Sequence, residues 1–388
     1  MFKRALLFCL CFFAAFVLRA QTDSLGNSHL RISLLTCGTG DEIWETFGHT
    51  AIRVTDSMAG TDIVYNYGTF NGFDERFELN FMRGKLNYYL SFYSYSRFEE
   101  EYVEANRSIQ EQVLNISDAK KREIYDFLKW NGLEENRYYK YDFFFDNCAT
   151  RIRDAFPKSL GEGFKYGPTI PADSRMTFRQ IINIYFYKTH WERFGINILL
   201  GSRIDKVMDN KDIMFLPDHL RDGMTTATLN GKPVTTKPVL LVPGSEHKPA
   251  GVNWPLVLTI SLGILTILGL VFKPLLPLGK VMSFLLLFVT GLLGCLILVM
   301  WFATDHQGCQ NNFNILWALP TNVFLSVAAK RNKGRYALVA IVLIIISVLL
   351  HLFRVQELPV PEILPILLAL LFIYGTIYRQ DKQVIQAS

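Results

Sequence analysis

The sequence predicts an α+β exported domain followed by a C-terminal bundle of about five transmembrane helices. Three observations carry this: a signal-like N-terminus, strand and helix patterns mixed through the first half, and an abrupt change near Val252 to long apolar runs separated by short loops. At 388 residues, half of them apolar, the chain is long enough for about two domains. The expected divisions are a signal segment at 1–20, an exported domain at 21–224, a linker at 225–251 and a membrane domain at 252–388.

Lys3 and Arg4 precede an apolar run that ends near the small residue Ala20, the layout of a secretory signal cleaved after Ala20. An uncleaved anchor is the alternative, and either one exports the domain that begins at residue 21. The net charge of +5 is scattered, without a basic face interleaved with stacking aromatics, so nucleic acid is not expected as a partner. Cys9 and Cys11 lie in the signal and Cys295 lies inside an apolar run, which leaves Cys37, Cys148 and Cys309 facing an oxidising space. An odd number leaves at least one thiol unpaired within the chain.

Residues 29–37, 49–55 and 62–68 read as strands, with Gly38, Gly40 and Gly48 punctuating the link between the first two. An aromatic-rich stretch from Phe77 to Tyr102 comes next, then a helix capped by Ser117 with Ile124, Phe127 and Leu128 at helical spacing. In YDFFFDNCATRIRDAF an extended aromatic run stops at Asp146-Asn147, and Ala149, Ile152, Ala155 and Phe156 then recur at helical intervals, so Cys148 opens a helix. The linker is placed in the Gly/Pro/Thr-containing stretch after residue 224.

Five apolar stretches complete the chain, at about 252–272, 281–302, 313–328, 336–353 and 363–378. The third is short and interrupted by Pro320 and Asn322, which reads as a broken or re-entrant segment. With the N-terminal domain outside, five crossings put Lys273 and Lys280, then Lys330, Arg331, Lys333 and Arg335, then Arg379 and Lys382 all inside, as the positive-inside rule requires.

The chemistry centres on Cys148. Unpaired amides and the macrodipole at a helix N-terminus stabilise a thiolate, and the same amides can serve as an oxyanion hole. A nucleophilic thiol needs a base, and His49, which opens a strand directly after a glycine, is the best placed histidine. Asn66, in the centre of VYNYG on the next strand, is the candidate to fix its tautomer. The plainer alternatives are an inert buried cysteine, a histidine that satisfies a core hydrogen bond, and a structural Cys37–Cys148 disulfide. Asp305, His306, Asn311, Asn312 and Trp317 gather where the second and third spans meet the outer surface, as candidates for headgroup binding or as an ordinary interfacial loop. Arg107, Arg151 and Arg153 are phosphate candidates, with ion pairing as the alternative. His190 and His219 are expected to carry no chemistry. No metal-ligand spacing is present, and no cofactor is expected.

A strand opening with Gly48-His49, followed about a hundred residues later by Asn147-Cys148 at a helix start, resembles the circularly permuted papain-like fold of lecithin:retinol acyltransferase-like enzymes. The whole chain resembles the lipoprotein N-acyltransferases of Bacteroides-type bacteria (Lnb), through FGHTAIRV, VYNYGTF, NRSIQEQVLNIS, YDFFFDNCATRIRD, FGINILLG and TDHQGCQNNFNILWALP. The resemblance implies an inner-membrane enzyme with a periplasmic catalytic domain. Its Cys148, assisted by His49, would take an acyl chain from a phospholipid donor as a thioester. The chain would then pass to the α-amino group of the diacylglyceryl-cysteine on a diacylated lipoprotein acceptor. Asn66 stands where the acyltransferase group often has a second histidine, so the third role departs from that pattern. The competing readings are a cell-wall peptidase or amidase, a phospholipase or thioesterase, and a non-catalytic membrane scaffold.

Overall fold

The computed structural model describes residues 29–70, 76–85, 87–245, 249–327 and 333–387. The expected signal segment, and Lys330 and Arg331 of the expected inner loop, lie outside the described residues. The elements run β1 Leu30–Cys37, β2 His49–Asp56, β3 Thr61–Thr69, α1 Phe77–Met82, β4 Asn87–Ser94, α2 Tyr95–Glu104, β5 Ile109–Val113, α3 Asp118–Asn131, β6 Tyr138–Lys140, α4 Cys148–Leu160 and β7 Phe164–Lys165. Next come α5 Phe178–Tyr185, α6 His190–Leu199, α7 Pro217–Thr225, β8 Thr228–Leu229, β9 Lys232–Pro233, β10 Val239–Val242, α8 Trp254–Val271, α9 Leu276–Phe302, α10 Asn322–Val327, α11 Lys333–Leu352 and α12 Val360–Ala387.

Seven strands form one antiparallel sheet in the order β10-β5-β1-β2-β3-β4-β6. The central strand β1 is buried on both faces, which explains its near-continuous apolar reading, LRISLLTC. One face packs Ile32, Leu34, Ile52, Val54, Tyr65 and Tyr67 against Leu128 of α3, Ile152 and Phe156 of α4, and Leu220 of α7. The other packs Leu35, Cys37, Ala51 and Val64 against Phe98 and Tyr102 of α2. The expected cap on α3 is present, with the Ser117 hydroxyl accepting from the Lys120 amide.

Within residues 225–251, expected as a linker, three strands form. Val239–Val242 pairs with β5, while β8 and β9 form a small second sheet with β7. The apolar run Val-Leu-Leu-Val covers an edge of β5 that would otherwise expose unpaired backbone groups.

Among the described residues four helices are long and apolar enough to cross a membrane: α8, α9, α11 and α12. The third apolar stretch is broken, into a 3-10 turn at Phe313–Leu316 and the short α10. It still descends along α9. The Phe313 ring meets Trp301 near the end of α9, and the backbone then passes Gly294 at Ala318 and Gly291 at Val323. Midway, the buried Asn322 donates to the Thr290 hydroxyl and accepts from the Tyr336 and Tyr374 hydroxyls, satisfying the polar group that interrupts the run.

The exported domain is seated on the outer ends of these helices. Phe194 and Ile198 of α6 pack into the apolar core of the bundle. The Asn312 amide donates to the Ile198 and Leu199 carbonyls, and Asn314 donates to that of Ile198. Buried Arg179 pairs with Asp205 and donates to the Asn197, Leu200 and Gly201 carbonyls, fixing the turn after α6. From the same loop that carries Asn312, the Asp305 amide donates to the Arg83 carbonyl, and the Asp305 carboxylate pairs with Lys140 at 2.9 Å. Lys140 ends β6, and Arg83 lies just before β4. The sheet is antiparallel, so the end that carries the last residue of β6 and the first of β4 also carries Cys37, His49 and Thr69. That end faces the membrane bundle.

Candidate active site

Cys148 and His49 meet at this end of the sheet. Cys148 is the first residue of α4. Its position is fixed by Asn147, whose side-chain oxygen accepts from the Thr150 amide at 2.8 Å while the Thr150 hydroxyl accepts from the Asn147 amide at 2.7 Å. The Asn147 side-chain amide also donates to the Phe143 and Phe215 carbonyls, which anchors the helix start from two sides. His49 opens β2 and stands opposite Cys37 in the β1–β2 ladder. Gly68 lies between the two groups. A Cβ at its position would stand 3.7 Å from the Cys148 Cβ and 3.9 Å from the His49 Cε1, and its φ of +91° suits glycine.

The imidazole is held by a chain of hydrogen bonds. His49 Nε2 is 2.6 Å from Asn66 Oδ1, Asn66 Nδ2 donates to the Tyr93 hydroxyl at 3.3 Å, and Tyr93 donates to the Glu101 carboxylate at 2.9 Å. An ionised carboxylate only accepts, which sets the direction of the whole chain. The Tyr93 hydroxyl donates to Glu101 and accepts from the Asn66 NH2, so the Asn66 oxygen faces His49 and accepts from Nε2–H. The lone pair is left on Nδ1.

Backbone amides of Thr50, Ala149 and Cys148 itself favour the thiolate, as does the positive charge of Arg107. Crowding of protein around Sγ outweighs them. Desolvation raises the thiol to about 11, although Cys148 keeps part of its surface in contact with solvent. This corrects the expectation of a lowered cysteine pKa. Burial also lowers His49 to about 4; the Asn66 hydrogen bond opposes that shift and the Arg107 charge adds to it. At neutral pH the resting pair is therefore a neutral thiol beside a neutral imidazole.

Cys37 and Cys148 are free thiols, so the alternative of a disulfide between them does not occur here. Cys37 is buried, and desolvation pushes it up to about 12. A pocket of about 240 Å³ lies behind this corner, lined by Cys37 and Gly48 together with Gln110, Tyr185, Asp218 and Arg221.

The remaining candidates have other surroundings. Asn312 and Trp317 are buried, and their polar groups are used inside the protein: Asn312 also accepts from Gln356, and the Trp317 indole donates to Asn314. They join domain to bundle and offer no surface to a headgroup, which corrects that expectation. Asp305 is engaged with Lys140, and the backbone at Asp305 and His306 closes against Gly84. Arg151 grips Asp146 through two bonds of 2.6 and 2.7 Å and lies over the Tyr139 ring, and Arg153 binds Asp154 and the Lys211 carbonyl. Arg107 is buried, donating to the Gly38 carbonyl and the Glu45 carboxylate. His190 bonds the Gly251 carbonyl. Among the described residues no cluster of His, Cys, Asp or Glu is suited to a metal ion. Sequence reasoning did not find Tyr93, Glu101 or the Thr50 amide. The alternation of β4 and the spacing of α2 put Tyr93 and Glu101 within reach of one face, but their convergence depends on tertiary packing.

Residues 18–182 match the family described as the Lnb N-terminal periplasmic domain, and residues 245–383 match the Lnb transmembrane domain. No curated protein and no solved structure matches the chain.

Proposed function

The chain belongs to the Lnb family, a multi-pass membrane protein with a periplasmic N-terminal domain, and from that premise we propose that it is a lipoprotein N-acyltransferase working through Cys148. The observation that carries this reading is that a thiol at a helix start and an oriented imidazole meet beside Gly68, at the end of the sheet that faces the membrane bundle. The helix bearing the thiol packs on the sheet bearing the histidine, which supports a papain-like arrangement.

In the first step His49 Nδ1 takes the proton of Cys148 Sγ–H as sulfur attacks the ester carbonyl of a phospholipid. In this reading the unpaired amides at the start of α4 receive the negative charge of the tetrahedral intermediate. Its collapse breaks the C–O bond, and His49 returns the proton to the departing lysophospholipid oxygen. In the second step the α-amine of a diacylated lipoprotein attacks the thioester. The C–S bond breaks, and the amine proton passes through His49 back to sulfur. The neutral resting pair suits this sequence, because the thiol is deprotonated only when a carbonyl is there to receive it.

The reading is tested in a deletion strain by mass spectrometry of lipoprotein N-termini. Wild type restores triacylated lipoproteins, whereas Cys148→Ala leaves them diacylated. Full triacylation by Cys148→Ala refutes the mechanism, and unchanged lipoproteins with altered muropeptides point to peptidase chemistry instead.

A further inference from the structure

Two pieces of structure lie at the membrane-facing end of the sheet: the loop from β1 to β2, which leads into His49, and α1, which precedes β4. Both expose large apolar side chains. Trp44 is 69% exposed and Ile43 49%, while Met82 is 58% and Leu79 45%. We propose that these are two membrane-inserting lips flanking the Cys148–His49 corner, and that their occupant is the outer leaflet of the lipid bilayer.

Continuity with the spans identifies that occupant. Asp41 pairs with Lys188 at 3.1 Å, close to the start of α6; His190 bonds the Gly251 carbonyl; and Trp254, three residues on, opens membrane helix α8. Trp191 continues the Phe194–Ile198 stripe of α6, which packs into the bundle, and it remains 52% exposed beyond that edge. Trp254 is 60% exposed at the outer end of its span, where tryptophan marks the headgroup level. The α1 lip is tied to the outer end of α9 through the Arg83 carbonyl and the Asp305 amide. Both lips thus stand beside the outer ends of spans, the first tied toward α8 and the second toward α9.

The first lip is braced. Arg107 holds the Gly38 carbonyl and Glu45, and Glu45 in turn accepts from the Glu42 amide, so the loop presents Ile43 and Trp44 outward from a fixed base. Exposed apolar groups on a braced loop favour insertion to the depth of the headgroup–acyl boundary. With both lips inserted, an acyl ester can reach Cys148 without crossing water; that route rests on the proposed function, whereas the insertion does not.

The test uses the full-length chain in bilayer nanodiscs, with or without phospholipid brominated on the acyl chain near the headgroup. Fluorescence of wild type minus that of Trp44→Phe isolates Trp44. Insertion predicts that this difference signal loses about half its intensity or more in brominated lipid. An equal signal in both lipids overturns the proposal. Leu79→Trp in the Trp44→Phe background tests the second lip in the same way: a bromine-quenched signal supports it and an unquenched one overturns it. The readout needs no acyl transfer, so a failure of the acyltransferase reading leaves it intact.

Discussion

At Cys148 two effects oppose each other: the amides at the start of α4 favour the thiolate, while the protein packed around Sγ disfavours it, and the thiol ends near 11. His49, at about 4, remains an unprotonated base well below the ordinary histidine value near 6.5. The rate of Cys148 acylation therefore stays level as pH falls through 6.5, drops only as His49 gains a proton near pH 4, and rises again toward pH 11 as the thiol ionises. An acid limb near 6.5 in single-turnover acylation would contradict this. Tyr93→Phe removes the link between Asn66 and Glu101. One neutral hydrogen bond of about 1 kcal/mol corresponds to about a fivefold loss of acylation rate. Asn66→Ala should lose more, since it removes the group that touches the imidazole, and rates equal to wild type for both would dismiss the chain as inert. The contact between His49 and Asn66 is legible in the sequence, because a glycine-punctuated pair of strands puts VYNYG beside the strand His49 opens. The cysteine's resting state is not legible, since desolvation belongs to tertiary packing.

At the scale of elements, α4 is set by local chemistry. Asn147 caps it, Thr150 reciprocates, and Ala149, Ile152 and Phe156 are buried on one face. This is why Cys148 at a helix start can be read from the sequence alone. Asn147→Ala removes the cap and leaves the Phe143 and Phe215 carbonyls without their donor. The expected cost is about 1–3 kcal/mol, read as a lower thermal midpoint of the full chain in detergent. An unchanged midpoint would show that the cap is not limiting. The strands β1, β2 and β3 are legible for the same local reasons, their apolar runs being bounded by glycines. β10 is not legible, because four apolar residues in a stretch rich in Pro and Thr become a strand only when β5 offers an edge.

Across the whole molecule, hydropathy locates the four long membrane helices and flags the broken third stretch through Pro320 and Asn322. The partners that resolve the break, Thr290, Tyr336 and Tyr374, come from three different helices and cannot be read from spacing. The polar loop after α9 shows the same limit. Its residues look like a headgroup site in sequence, whereas in the structure Asn312 and Trp317 hold the periplasmic domain on the bundle. That seating turns the His49 end of the sheet toward the membrane and gives the thiol its setting. In the proposed reaction Cys148 carries the acyl group. Intact-mass analysis of the purified full-length chain after incubation with phospholipid tests it most directly: wild type should gain the mass of one acyl chain, releasable by hydroxylamine, and Cys148→Ala should gain none. Equal acyl addition to both proteins, or none to either, would contradict the account.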